Sequence, residues 1–212
     1  MFIGAPPAYI PMQISTTRFV LRDFDPADRS ALVEYQMDPR YRRLYDLDER
    51  YVAQASELFS RFLSWRDEQP RRNYQLGIFQ RSDGRLCGCA GLRMTRSNDR
   101  RAVLGIELAP DEWGRYRLAL EVASALMKFG FRDLGLDTLI GSTASGNRRV
   151  ERLARWFGAE IGEQRAGPDW MKARGWVEVD WILSRTHWER REEWRTDHST
   201  HRRSHDSERS RR

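Results

Sequence analysis

Lysine is nearly absent from this 212-residue chain: among its 37 basic residues only Lys128 and Lys172 are not arginine. That scarcity reads as a compositional bias and marks no site. Histidine is scarce too, and all four, His187, His198, His201 and His205, lie beyond the expected core. Histidine is therefore left out of the expected catalytic set. The two cysteines, Cys87 and Cys89, sit two apart in "RLCGCAGLR". On a strand they share a face and are too close in sequence for an ordinary disulfide. A lone C-x-C without nearby partner ligands also excludes a metal site, so both read as small packed residues. No apolar run approaches the roughly 20 residues that span a bilayer. The opening "MFIGAPPAYIPMQ" lacks a basic n-region and is broken by Pro6, Pro7 and Pro11, so it makes a poor signal peptide. The expected compartment is the cytoplasm.

Hydrophobic residues make up 40% of the chain and charged ones 32%, which fits one soluble globular domain with a tail. The net charge of +6 is spread thinly. Nine arginines oppose six acids from Arg185 to Arg212, and the rest of the chain carries a similar small excess. Nucleic acid is not expected as a partner of the body; the Arg/His tail is the one segment suited to RNA or a ribosome.

Along the chain, "TTRFVLRDF" (Thr16 to Phe24) alternates as a strand does. Asp25-Pro26 then supplies an N-cap and a proline at the first helical position, with Ala31, Leu32 and Tyr35 on the apolar face and Pro39 as the stop. A second helix is predicted from about Glu49 to Trp65. Two strands follow about Ser82-Asp83-Gly84, and "RRAVLGIEL" makes a further strand. A long helix ends near Gly135, "DTLIGST" is a strand, "NRRVERLARWFGA" is a helix stopped by Gly158, and "GWVEVDWILSR" is the last strand. Strand–helix–strand from Ala102 to Ser142 implies a parallel pair. The fold class is α/β or α+β around a mixed sheet. Residues 1–15 read as an extension, 16–184 as the domain, and 185–212 as a basic, disordered tail that opens on a frayed helical turn.

The stretch "LGIELAPDEWGRYRLALEVASALMKFGF" runs a strand into a helix through a turn holding Gly114. Free backbone N–H groups and the helix dipole favour an anion at such a junction. A single glycine followed by Arg115, Tyr116 and Arg117 is unusual for a phosphate loop. Arginines there supply charge-assisted bonds to phosphate; the plain alternative is a solvated helix start.

Residues 16–184 resemble the GNAT N-acetyltransferases, in the branch that acetylates ribosomal-protein N-termini and related amines. The resemblance is carried by "TTRFVLRDFDPAD", "IELAPDEWG", "ALEVASALMKFGFRDLGLDTL", and Asn147 placed eleven residues before Gly158. It implies a mostly antiparallel sheet with a splayed parallel pair, flanked by about four helices. It also implies acetyl-CoA as acyl donor, no metal, and a primary amine acceptor, either a protein N-terminus or a small molecule. Backbone near Leu108 and Ala109 on the family's fourth strand would meet pantetheine. Gly114, Arg115, Tyr116, Arg117, Leu118 and Ala119 would hold the pyrophosphate, and Asn147 would contact the pantetheine arm.

Against the family's loop pattern (Gln or Arg, two variable residues, Gly, one variable residue, Gly or Ala), counting back from Glu121 puts Arg117 on the usual Gly. Counting forward from Trp113-Gly114 puts Tyr116 there, so the loop is one residue longer. Val150 replaces a frequent serine and Val103 a frequent acid. Glu107 is the remaining acid on that strand. It reads either as general base toward an ammonium or as an acceptor-binding or surface carboxylate. Tyr41, Tyr45, Trp170 and Trp176 fall where the family shapes its acceptor pocket; aromatics at such spacing also serve as core. The expected enzyme transfers acetyl directly in a ternary complex, as a monomer or homodimer. The rival from another class is a catalytically lost GNAT-like module that binds acyl-CoA, RNA or a ribosome.

Overall fold

The structure, a computed structural model, describes residues 11–45, 47, 51–94 and 100–193. It forms two compact units: one from the chain up to Asp99 with Val103–Phe129, the other from Arg100–Ala102 with the chain from Gly130 onward.

The first unit is organised on β1 (Gln13–Ser15), β2 (Phe19–Asp23), β3 (Asn73–Gln80), β4 (Leu86–Met94) and all but the first two residues of β5 (Arg101–Leu108), neighbours in that order. The pairs β1–β2, β2–β3 and β3–β4 are antiparallel. Strand β2 alternates as expected, with Phe19, Leu21 and Asp23 buried. An inward acid must be satisfied, and Asp23 takes Met12 N–H at 2.8 Å and both Arg71 terminal nitrogens at 3.0 and 2.5 Å. That tie draws Gln13–Ser15 into the sheet, so part of the expected extension is a strand; residues 1–10 lie outside the described residues.

After β2, Asp25 and Asp28 form a capping box over a short 3₁₀ turn that opens α1 (Arg29–Met37). Pro39 does more than end this helix. Asp38 turns extended and accepts the Arg40 N–H at 2.7 Å, and Pro39 becomes the first residue of α2 (Pro39–Tyr45), a helix the sequence reading misses. The next helix is α3 (Tyr51–Arg66); its expected start at Glu49 lies outside the described residues. The core beneath these helices is aromatic. The Phe24 ring meets Phe59 at 5.4 Å edge-on and stacks on Phe62 at 5.6 Å, with Leu32, Tyr35, Tyr41, Phe79 and Cys89 buried around them. The last helix of the unit is α4 (Tyr116–Lys128).

In the second unit β6 (Thr138–Ala144), β8 (Val177–Ser184) and β7 (Glu160–Ala166) pair antiparallel in the order β6-β8-β7. Within this unit Arg100 O accepts the N–H groups of Asp137 and Thr138, where β6 begins. α5 (Arg148–Phe157) is stopped by Gly158, which is left-handed at φ 80°. Strand β7 was not assigned from sequence: "EIGEQRA" is mostly exposed and ends the strand order, so it lacks an inward apolar alternation. The one-turn helix α6 (Asp169–Lys172) is likewise unforeseen. The frayed helical turn expected at the start of the tail is a longer helix, α7, over residues 185–193. Its Trp188 is buried against Phe131 at 5.2 Å, and Arg185 bonds Leu136 O through its guanidinium. The remainder of the tail, including His198, His201 and His205, lies outside the described residues. No described helix is long and apolar enough to cross a membrane.

Both thiols are free and buried. Burial pushes Cys87 up to about 11 and Cys89 well above the usual thiol range. A dithionitrobenzoate titration near pH ~8 should therefore find no fast thiol in the native protein and both after denaturation. A fast native reaction would contradict this burial.

Candidate active site

Glu107 stands at the end of β5, half-buried, with its carboxylate turned to α1 and α2. Tyr35 Oη donates to Oε1 at 2.7 Å and Gln36 Nε2 to the same oxygen at 2.9 Å. Tyr41 Oη donates to Oε2 at 2.8 Å. Desolvation holds the Tyr35 phenol well above its ordinary range, reinforced by the neighbouring Cys89 and Glu107, so it remains a proton donor. Its Oη also lies 3.6 Å from Cys89 Sγ. Among the expected acceptor residues, Tyr41 thus touches Glu107, while Tyr45 packs against Tyr41 with ring centroids 4.9 Å apart. Tyr35 and Gln36 were missed as site residues. Tyr35 was read only as an apolar-face residue, and nothing in sequence spacing relates α1 to a strand about seventy residues later.

Beyond Glu107 the backbone is strongly committed. Ala109 N–H donates to Cys87 O at 2.9 Å, and Ala109 O accepts from Glu112 N at 2.8 Å. Leu108 O accepts the Trp113 indole N–H at 2.9 Å. The Ala109 N–H is therefore spent on β4, within the backbone near Leu108 and Ala109 that is expected to meet pantetheine. The turn Pro110–Glu112 carries a fully buried acid, Glu112, whose two oxygens hold Arg85 at 2.5 Å and Arg115 at 3.0 Å. A buried carboxylate needs such partners, and the consequence is that Arg115 is tied back.

Gly114 has φ +90° and open space around its would-be Cβ, so the conformation, not crowding, calls for glycine here. Within the loop, Arg115 N bonds Glu112 O, Tyr116 N bonds Gly114 O and Leu118 N bonds Arg115 O. The Gly114 and Arg117 N–H groups have no partner among the described residues. Fewer amides are free than the expected six-residue cradle implies; Ala119 follows in the first turn of α4. The exposed Arg117 side chain stands where the family pattern has glycine, and its carbonyl accepts Arg18 Nη2 at 2.9 Å.

The loop lines an open cleft of about 800 Å³ together with Thr17–Phe19 and Gln80–Ser82. Arg18, Arg81, Arg115 and Arg117 are among its lining residues, and none of those residues is acidic. Arg18 is held from behind by Glu121, which takes Thr16 Oγ1 at 2.6 Å and Arg18 N and Nε both at 2.7 Å. Burial pushes the Glu121 carboxyl up, but these bonds from Thr16 and Arg18 outweigh it and hold it below the ordinary glutamate range. Arg18, Arg81 and Glu112 were not foreseen. Their places depend on strand pairing, not on local spacing.

In the second unit Asn147 caps α5, its Oδ1 accepting Val150 N–H at 3.2 Å. The neighbouring Gly146 lies against Trp176: a Cβ there would stand 2.1 Å from the indole. Trp170 meets Trp176 edge-on at 6.5 Å, so three of the expected residues, Asn147, Trp170 and Trp176, gather around one turn. Among the described residues no group of acids, histidines or cysteines is arranged to hold a metal ion.

Comparison with known proteins agrees with this geometry. Residues 18–160 match the family model described as an acetyltransferase (GNAT) domain. An uncharacterized N-acetyltransferase of Bacillus subtilis, YoaA, is 28% identical over 141 residues, spanning 66% of this chain and 78% of that protein. Two solved structures share the fold. One is a putative ribosomal-protein-serine acetyltransferase of Vibrio cholerae, with TM-score 0.63, 21% identity, and coverage of 82% of this chain and 97% of that one. The other is RimL, a ribosomal L7/L12 α-N-protein acetyltransferase in complex with coenzyme A. It has TM-score 0.68, 15% identity, and coverage of 82% and 98%.

Proposed function

The chain belongs to the GNAT acetyltransferase family, and from that premise we propose that it moves an acetyl group from acetyl-CoA to a primary amine by direct attack in a ternary complex. The observation that carries this is Glu107. A carboxylate offers about four lone-pair sites, and three are filled by Tyr35, Gln36 and Tyr41. One site stays open for a proton of the incoming ammonium, directly or through water. Acetyl-CoA, when bound, supplies a thioester carbonyl for attack. The chain's own part is to hold the donor, take the amine proton at Glu107, and offer a backbone N–H of β5 to the developing oxyanion.

The residues of the first unit suit the phosphates of such a donor. Four arginines line the cleft, and the Gly114 and Arg117 amides are free at the start of α4. Asn147 toward the pantetheine arm, and Tyr41, Tyr45, Trp170 and Trp176 toward the acceptor, are proposed from the family resemblance. The acceptor class is a protein N-terminus or a small-molecule amine. The rival, a domain that binds acyl-CoA or RNA without turnover, is favoured by the spent Ala109 N–H and the sparse loop amides.

Acetyl-CoA at ~100 times its dissociation constant should stabilise the fold by about 2.7 kcal/mol, a rise in melting temperature of roughly 5–10 °C. No shift at millimolar ligand abandons the donor reading. With binding established, release of free thiol across peptide N-termini, polyamines and aminoglycosides tests turnover. Glu107→Gln is expected to lower kcat about 100-fold; an unchanged rate removes Glu107 as the base. A shift without turnover on any amine favours the binding-module rival.

A further inference from the structure

Glu107 is the half-buried member of a polar cluster whose other members are sealed in the core. Tyr35 is 8% exposed, Gln36 0% and Tyr41 4%. The three donors are thus buried, and of the four residues Glu107 alone is partly exposed. Tyr35 and Gln36 are adjacent on α1 and both serve Oε1, filling its two lone-pair sites. Tyr41, on α2, takes one site of Oε2. The Asp38-Pro39 turn sets α2 at its angle to α1, so donors six residues apart close on one carboxylate from two directions.

We infer that Tyr35, Gln36 and Tyr41 are positioning residues that clamp Glu107 and leave a single atom, Oε2, to accept the proton of the acceptor amine. This rests on the reading of Glu107 as the base. Oε1 is saturated by two buried donors and cannot take a further proton without losing one of them. The high position of the Tyr35 phenol keeps that donor in place through the working pH range. A merely structural account asks only that each buried donor find an acceptor. It leaves unexplained why all three converge on the one carboxylate that stands at the rim of the cluster. A freely rotating Glu side chain would divide its time among several orientations; three bonds from rigid elements remove that freedom, which is what a proton acceptor in a ternary complex requires.

The test uses the full chain, acetyl-CoA, and the amine that turns over fastest among a peptide with a free N-terminus, spermidine and an aminoglycoside. Tyr35→Phe, Gln36→Met and Tyr41→Phe are each made alone and in the Glu107→Gln background. Each single variant should lower kcat roughly tenfold, as loss of a bond to a charged group does, while KM for acetyl-CoA and the shift it induces in melting temperature stay within about twofold. In the Glu107→Gln background the same substitutions should cost nothing more, because residues that act through Glu107 have nothing left to position. Unchanged kcat in the single variants, or equal losses in both backgrounds, overturns the clamp and leaves the base intact. An unchanged kcat in Glu107→Gln alone overturns the base itself, and the clamp with it, as does absence of turnover with all three amines. Tyr41→Phe keeps its ring in place and decides the matter should Gln36→Met fail to fold.

Discussion

Gly88→Ala is expected to lower the melting temperature by roughly 5–20 °C and to remove most of the acetyl-transfer rate. Gly88 lies on β4 with φ +143°, and a Cβ there would stand 2.1 Å from Glu107 O and 2.8 Å from Leu108 Cα. Both neighbours are backbone, so no side chain can rotate out of the way. The position is also a bulge: Gly88 opposes Ile78 and Leu86 opposes Phe79, leaving Cys87 without a partner on β3. That extra residue lets Cys87 O reach Ala109 N–H, just before the loop. The φ strain costs about 1–3 kcal/mol and overpacking about 1–3 kcal/mol, or roughly 2–6 kcal/mol together. Gly84→Ala is the control. It shares a positive φ of 72° but has nothing within 4 Å of its would-be Cβ, so it should cost only about 1 kcal/mol. Thermal unfolding of the two variants side by side decides the point; equal losses would mean that β4 and β5 do not approach as closely as described.

Asp23→Ala is expected to cost about 3–5 kcal/mol in urea unfolding. Asp23 is 5% exposed and Arg71 is largely enclosed, so the substitution leaves that guanidinium without its carboxylate, with only Asn73 O on its Nε. The Met12 N–H loses its acceptor as well, and β1 should loosen, visible as faster amide exchange over Gln13–Ser15. A second change, Arg71→Met, should recover part of the loss, because it removes the stranded charge. By contrast, Lys172→Met breaks an exposed pair with Asp169 and should leave the unfolding midpoint in place. If Asp23→Ala behaves like Lys172→Met, the buried pair does not anchor the first strand.

Local signals were read well where they were self-contained. The Asp25-Pro26 start, the hairpin around Gly84, the strand into the Gly114 turn, and the Gly158 stop each depend on a few adjacent residues, and the structure places all four where the spacing puts them. Pro39 shows the limit of that reading. Its fixed φ ends one helix and starts the next equally well, and only Asp38 turning extended to cap the Arg40 N–H decides between them. Strand β7 escaped because an edge strand need not bury an apolar face, and the helix over residues 185–193 read only as a frayed turn because a single Trp188 carries its burial.

The candidate site divides in the same way. The sequence by itself determined that an acid, Glu107, ends a strand one turn before a basic, glycine-bearing helix start. Through the family resemblance it also gave Tyr41 an expected place on the acceptor side, and the structure puts that hydroxyl on Glu107. Only the tertiary structure decided what surrounds them. It brings Tyr35 and Gln36 onto Glu107 across some seventy residues, ties Arg115 back to a buried Glu112, and sets Arg18 and Arg81 beside Arg117 around one cleft. Periodicity reports which face of an element is buried, whereas hydrogen bonds between elements depend on sheet register and helix crossing. Those are set by the packing of the whole unit, and no stretch of sequence contains them.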